Sequence, residues 1–164
     1  MMKSTFKTIA ILLISLLISI DLYAVSDKDE NTLVDFLESY QETKGVDYVN
    51  LKGFMLNFAK PALKKTPMKN VVDEIDNVCV FNMSGAGKDI MKSFDKKLAS
   101  ILAGYEKVAE NKEGKTESTI YLKRKDDAYI SEIVVYSGNE DIAIVVMKGD
   151  IPVSLLEEMA DQEK

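Results

Sequence analysis

Residues 77–83 read NVCVFNM, and within them Val78, Cys79, Val80 and Phe81 follow one another without a polar residue. Side chains along a β-strand alternate between the two faces of a sheet, so this run presents apolar groups to both faces. Such a strand is typical of the interior of a sheet that is covered on both sides. The segment therefore predicts a central strand.

The segment after this strand predicts the longest helix of the chain, from about residue 87 to residue 103. Its apolar residues recur every three or four positions and form a single stripe, which is the pattern of an amphipathic helix. Gly104 ends the helix. The stripe consists of Ile90, Met91, Phe94, Leu98, Ile101 and Leu102.

The remaining C-terminal part is rich in strand-like segments separated by short polar turns. This alternation predicts an antiparallel meander. Gly149 and Asp150 then predict a turn, and Pro152 opens a last helix that contains Val153, Leu155, Leu156 and Met159. The expected strands are residues 105–110, 118–123, 128–136 and 141–148, and the turns are 111–115, 124–127 and 137–140.

The N-terminal part predicts two helices around one strand. Asn31 or Thr32 caps a first helix, Gly45 ends it, and residues 46–51 form a strand. Residues 52–60 predict a second helix. Pro61 either ends this helix or is the first residue of another one. Val71, Val72 and Ile75 predict a short helical turn. The apolar residues are Leu33, Phe36, Leu37 and Tyr40 in the first helix, and Phe54, Met55, Phe58 and Ala59 on one face of the second.

Together these elements predict a single α+β domain over residues 25–164. We expect a two-layer arrangement with a mixed, mostly antiparallel sheet of five or six strands and two main helices on one face. The N-terminal and C-terminal helices are expected to cover an edge or the other face. A body of 140 residues is long enough to bury a core of its own.

Residues 1–24, MMKSTFKTIAILLISLLISIDLYA, predict a cleaved signal peptide that exports the chain to the periplasm or the medium. Lys3 and Lys7 precede an uncharged run of 13 residues. That run would form a helix of about 20 Å, against roughly 30 Å of hydrocarbon in a bilayer. Cleavage is expected after Ala24, with an uncleaved anchor as the alternative because Leu22 is large for its position. No transmembrane segment is expected after cleavage.

The charge and composition exclude several classes of function. The chain has 21 basic and 27 acidic residues, a net charge of −6, and removal of the leader's two lysines and one aspartate leaves −7. This balance argues against nucleic-acid binding and against adhesion to an anionic membrane surface. There is no histidine and one cysteine, which removes the commonest general base and any intramolecular disulfide.

Residues 84–89, SGAGKD, lie between a strand and a helix, where a phosphate-binding loop would stand. That motif requires an earlier glycine, where Asn82 stands, and a hydroxyl residue after the lysine, where Asp89 stands. We therefore predict a flexible helix start, with Ser84 or Gly85 near the cap and Asp89 favoured by the helix dipole. Docking of a sulfate or phosphate on the exposed N–H groups stays open.

The other candidate residues have ordinary structural explanations. Cys79 is predicted to be a buried small hydrophobe, with an intermolecular disulfide as the alternative. The acidic clusters lack calcium-loop spacing and predict solvated turns, with weak calcium bridging as the alternative. The three tyrosines of the meander predict cross-strand packing, with an aromatic binding platform as the alternative. The acidic clusters are Asp73-Glu74-Asp76, Asp126-Asp127 and Asn139-Glu140-Asp141. The three tyrosines are Tyr121, Tyr129 and Tyr136.

The chain resembles the exported proteins grouped as domain of unknown function 4252, found mainly in Bacteroidetes. The resemblance implies an envelope or periplasmic location and, more weakly, proximity to stress-response or sigma-factor systems. It implies no activity and no catalytic residue. The similar segments, besides the leader, are VDYVNLK at 46–52 with Met55 after it, AGY at 103–105, ISEIVV at 130–135 and KGDI at 148–151.

These observations lead us to expect an exported, non-catalytic binding or interaction protein. No catalytic, cofactor-binding or metal-ligating residue is assigned, and no cofactor is expected. The expected partner is an envelope protein or a small apolar ligand. Two alternatives remain: a carrier that holds a lipid or similar molecule between helices and sheet, and a histidine-free enzyme that uses carboxylates or lysine.

Overall fold

A computed structural model describes residues 32–65, 67–138 and 140–162, so the predicted leader, residues 1–24, lies outside the described residues. Six strands form one sheet in the order β1-β2-β6-β5-β4-β3, with every pairing antiparallel. The α+β class is thereby confirmed, and β2 is an interior strand as its apolar run predicts. The strands are β1 (Val46–Lys52), β2 (Ile75–Met83), β3 (Glu106–Glu113), β4 (Thr116–Arg124), β5 (Tyr129–Gly138) and β6 (Ile142–Pro152).

Four α-helices cover the sheet in the described part of the chain. Two 3-10 turns, Pro67–Asn70 and Val72–Glu74, connect the second helix to β2. The helical turn predicted around Val71 and Val72 is confirmed and buried, whereas Ile75 is already the first residue of β2. The helices are α1 (Thr32–Glu38), α2 (Gly53–Leu63), α3 (Lys88–Leu102) and α4 (Val153–Gln162).

The helices lie on both faces of the sheet rather than mainly on one. One face, here called the α2 face, packs against α2, the 3-10 turns and α4 through Leu56, Val72 and Leu156. The other, the α3 face, packs against α1 and α3 through Leu37 and Phe94. The arrangement has three layers instead of the expected two, because the interior strands carry apolar side chains at both odd and even positions.

Helix α2 differs at both ends from its predicted limits. Lys52 belongs to β1, and Gly53 begins the helix with a φ of +51°, a conformation that glycine adopts without strain. Pro61 lies inside the helix, which continues to Leu63. The missing N–H is tolerated because Pro61 is on the exposed side, while burial of Leu63 and the Lys64 N–H to Lys60 C=O bond hold the last turn.

The turn predicted at Gly149 and Asp150 is absent, since β6 runs through both residues to Pro152. The pairing is irregular at this point instead: Gly149 and Asp150 of β6 both stand opposite Ser131 of β5, and β2 has one extra residue, Asp76, on the other side. Consequently α4 begins at Val153, one residue after the expected proline. The meander strands are otherwise one to three residues longer than predicted, because strand pairing extends into the polar turn segments.

Candidate functional site

Helix α2 exposes two phenylalanines to solvent. The phenyl side chains belong to Phe54, which is 79% exposed, and Phe58, which is 74% exposed, and Met55 beside them is 36% exposed. These three residues are called the aromatic ridge below. Of the four apolar residues that the sequence placed on one face of this helix, only Ala59 is buried. The ridge is therefore the outer side of the helix and not its core side.

The core side of α2 consists of Leu56, Ala59 and Leu63, which follow each other at spacings of three and four. They pack with Leu51 of β1 and Val78 of β2 in the core of the α2 face. At about 100° per residue, Phe54 and Phe58 then point to the opposite side. The turn at Gly53 decides this orientation, because it sets the angle at which the helix leaves β1.

The ridge differs from the other exposed apolar side chains in the described residues. Ile90 on α3, Val108 on β3 and Tyr129 on β5 are each between 42% and 46% exposed and lie on separate elements. Single exposed apolar residues are normal on a protein surface. Two phenylalanines one helical turn apart form a contiguous apolar patch, which is the kind of surface that marks an interaction site.

A second candidate is a row of polar side chains that crosses five strands on the α3 face. The strand registers place these residues next to one another on neighbouring strands. In each strand the residue stands at one of the alternating positions whose side chains point to the α3 face. The side chain of Glu132 is 7% exposed and that of Lys148 is 18% exposed. This polar row consists, in order across the sheet, of Lys52, Asn77, Lys148, Glu132 and Lys123.

Glu132 is the centre of the polar row. It accepts a hydrogen bond of 2.5 Å from the Tyr105 hydroxyl, and its other carboxylate oxygen lies 3.5 Å from Lys148 Nζ. Lys123 Nζ lies 5.5 Å from the centre of the Tyr105 ring. Burial, together with Glu132, raises the pKa of Tyr105 above its usual value. Tyr105 thus keeps its proton and serves as a hydrogen-bond donor rather than as a base.

Asn77 connects the polar row to β1. Its amide nitrogen donates to Asn50 Oδ1 at 2.5 Å and to the Leu51 carbonyl at 3.2 Å. Its own Oδ1 is buried and meets no hydrogen-bond partner among the described residues. A buried polar atom without a partner costs stability. The two hydrogen bonds that its amide nitrogen donates are therefore what connects Asn77 to β1.

Cys79 is buried beside Tyr48, as the sequence predicts. Burial raises the pKa of its thiol to about 12, and the Tyr48 hydroxyl and Lys52 lower it only in part. The thiolate is the reactive form of cysteine, so this side chain is inert at neutral pH. The buried position also disfavours the intermolecular disulfide that the sequence left open.

The loop of residues 84–89 has a packing role that the sequence did not indicate. The Gly85 N–H donates to the Gly45 carbonyl, and a Cβ on Gly45 would lie 2.1 Å from the Gly85 carbonyl carbon. Gly45 also has a φ of +85°. The N-cap of α3 is Gly87, which offers no side-chain cap, and not Ser84 or Gly85. Asp89 does lie in the first turn of the helix, as predicted.

The described residues of the acidic clusters are exposed and most lie in turns, as predicted, but Asp76 belongs to strand β2. Asp73 pairs with Lys64, and Asp126 Oδ1 accepts the backbone N–H groups of Ala128 and Tyr129. Glu140 lies 3.5 Å from Lys115, and Asn139 lies outside the described residues. Across the described ranges, no three potential ligands come together to hold a metal ion.

Of the three tyrosines of the meander, Tyr121 and Tyr136 lie on the same face of neighbouring strands, and Tyr129 is separate from them. Tyr121 and Tyr136 are half-buried and pack on the α3 face, where the Tyr136 hydroxyl donates to Asp95 at 3.1 Å. Tyr129 is exposed at the far end of β5. Cross-strand packing, the expected role, thus describes Tyr121 and Tyr136.

Sequence reasoning missed the polar row and the outward direction of the ridge. One signal for the row was present: Glu132 and Lys148 interrupt or end otherwise apolar strands and carry opposite charges. The pairing itself depends on strand register, which single-strand patterns do not contain. For the ridge the signal was the excess of apolar residues in α2, too many for one face.

Comparison with known proteins identifies one family. The family model described as "Domain of unknown function (DUF4252)" matches residues 40–159. The comparisons with curated proteins and with solved structures find no match. Among the described residues, no helix is both long and apolar enough to cross a membrane.

Proposed function

The chain belongs to the DUF4252 family, and from this premise we propose that it is an exported, non-catalytic binding module of the bacterial cell envelope that binds through the aromatic ridge. The observation that carries the proposal is the exposure of Phe54 and Phe58 on the side of α2 that faces away from the core. Each exposed phenylalanine leaves a large apolar area in water, which contact with a partner removes.

Export is supported by the leader at residues 1–24 and by the resemblance to exported proteins of Bacteroidetes. The leader combines two lysines, an uncharged run and a small residue at position 24. N-terminal sequencing of the protein recovered from cells that express the full chain tests this part. We expect the first residue to be Val25, and an intact Met1 would contradict export with cleavage.

The non-catalytic part of the proposal is supported by what the titratable side chains already do. Glu132 holds Tyr105 and Lys148, and the high pKa of Cys79 keeps its thiol protonated. Nucleophilic and acid–base catalysis need a group whose pKa is tuned toward neutrality. Tyr105 and Cys79 are both shifted in the opposite direction.

Co-sedimentation with washed envelope membranes, which carry their own proteins, tests binding through the ridge. We expect the purified protein to sediment with these membranes and the Phe54→Ser/Phe58→Ser variant to lose at least about 10-fold in affinity, given the apolar area removed. Ile90→Ser is the matched control, because Ile90 is an exposed apolar residue on another helix. Equal sedimentation of all three proteins, or none, would contradict the proposal.

A further inference from the structure

Beyond the leader, the aromatic ridge lies in the longest stretch of this acidic protein that carries positive charge only. Residues 48–72 contain five lysines and no aspartate or glutamate, although the chain as a whole has a net charge of −6. Along the chain, positive charge is thus concentrated in and just after α2, and acidic residues resume at Asp73 in the second 3-10 turn. Four of the lysines, Lys60, Lys64, Lys65 and Lys69, lie in α2 or follow it, whereas Lys52 belongs to β1 and to the polar row on the α3 face.

Most of these lysines are close to the ridge in the chain and available to an outside partner. Lys65 follows the end of α2 and Lys69 lies in the next 3-10 turn, and both are exposed without an ion pair among the described residues. Lys60 is half-buried within α2. Lys64 is paired with Asp73 at 3.0 Å, but both side chains are more than half exposed, so the pair is weak.

This combination is the composition of a helix that lies in a membrane interface. Such helices place aromatic and aliphatic side chains at the boundary of the acyl chains and lysines among the headgroups. Phe54 and Phe58 are one helical turn apart, so both rings reach the same depth when α2 lies parallel to the surface. Lysine stems extend along apolar surface while their ammonium groups remain in water.

Two other occupants of the ridge fit the charges less well. A symmetric pair of copies would bring the same surface of each molecule together, and with it two sets of like-charged lysines. An acidic protein partner would need a groove that accepts the projecting Phe54 and Phe58 rings. A fluid bilayer needs no such matching shape.

We propose that α2 docks the protein on an anionic phospholipid surface of the envelope, a proposal that rests on the ridge being the binding surface. The net negative charge of the remaining protein orients the molecule, because an anionic bilayer attracts the lysines near α2 and repels the other surfaces. The net charge of the chain alone argued against this partner, and the local distribution of charge reverses that conclusion.

Flotation of the purified protein with protein-free lipid vesicles tests this proposal. The vesicles contain either phosphatidylglycerol mixed with phosphatidylcholine or phosphatidylcholine alone. We expect binding to the anionic vesicles only, and a loss of affinity as the salt concentration rises. Phe54→Ser/Phe58→Ser and Lys65→Gln/Lys69→Gln should each lower the affinity about 10-fold or more. Each lysine near an anionic surface raises the affinity by a factor of about five, so removing two lysines is enough for this effect.

Lys96→Gln/Lys97→Gln is the matched control for charge. It removes two exposed lysines from α3 and so changes the net charge by the same amount on another helix. We expect it to bind like the unchanged protein, and Ile90→Ser to do the same. Unchanged folding of every variant is checked by circular dichroism and by the urea midpoint.

Three outcomes would overturn the membrane proposal: no binding to anionic vesicles, equal binding to both vesicle types, or an equal loss of affinity in Lys65→Gln/Lys69→Gln and Lys96→Gln/Lys97→Gln. If protein-containing envelope membranes still bind through Phe54 and Phe58 while protein-free vesicles do not, the ridge binds a protein. The proposed function then stands and the lipid partner is wrong. If neither preparation binds, both proposals fail.

Discussion

The rings of Phe81 and Phe94 lie parallel, with their centroids 5.0 Å apart and 3° between their planes. Phe81 comes from the interior strand β2 and Phe94 from the middle of α3, and both are fully buried. Phe94 also contacts Phe36 and Tyr40, each with its ring centroid 5.1 Å away. One side chain of α3 thus joins β2 to the N-terminal helix region, and the α3 face of the core is organised around it.

Phe94→Ala should destabilise the protein by about 3–5 kcal/mol, because it leaves a cavity where three aromatic rings meet. Phe58→Ala is the matched control, since it removes the same side chain from an exposed helix position and should change stability by less than about 1 kcal/mol. Urea unfolding followed by circular dichroism measures both. Similar losses for the two variants would contradict the assignment of inner and outer helix faces.

Gly45→Ala should cost about 3 kcal/mol or more, since the new Cβ would both strain a left-handed backbone and collide with the Gly85 peptide. Gly114→Ala separates the two effects, because Gly114 has a φ of +60° but open space around it. We expect the control to lose only about 1 kcal/mol. Equal losses in thermal or urea unfolding would mean that the contact between Gly45 and Gly85 is unimportant.

Lys148→Met should destabilise the protein by about 3 kcal/mol, because it leaves the buried Glu132 carboxylate without its cation. Combining it with Glu132→Gln should recover at least half of the loss, since the neutral amide still accepts from Tyr105. A double-mutant cycle on the free energy of unfolding gives the coupling. Additive losses would show that the two side chains do not interact.

The buried Cys79 thiol should make stability fall at alkaline pH. Its pKa is raised to about 12 in the folded state from the ordinary value near 9. The folded protein then binds more protons between these values, so the thiol's contribution is complete below pH 9 and declines as the pH rises toward 12, by at most about 1.4 kcal/mol per pH unit.

Comparison with Cys79→Ala isolates this contribution, because tyrosines with raised pKa values remain in both proteins. The difference in the free energy of unfolding between the two should be constant up to about pH 8.5 and then shrink, as linkage requires. A difference independent of pH up to 11 would mean that Cys79 is not desolvated. Thiol-specific reagents at pH 8 should label Cys79 only after unfolding.

The helices and strands of this fold follow from local sequence patterns, because each kind of element has its own periodicity of apolar residues. The four consecutive apolar residues Val78–Phe81 predicted an interior strand covered on both faces, and the structure confirms it. The limits of α3 were predicted to within one residue, although Ile90 of the predicted apolar stripe is exposed. The segregated lysines of residues 48–72 can also be read directly from the sequence.

Local patterns do not reveal which side of α2 is buried or which polar residues meet, because both depend on contacts between distant segments. Helix α2 is apolar around much of its circumference, so its pattern does not choose between Leu56 and Phe58; the turn at Gly53 and the sheet beneath it do. Glu132, Lys148 and Tyr105 come from segments far apart in the chain and are joined by strand register. Strand register and helix orientation are non-local properties, because each depends on the apolar surface that the neighbouring elements present for burial.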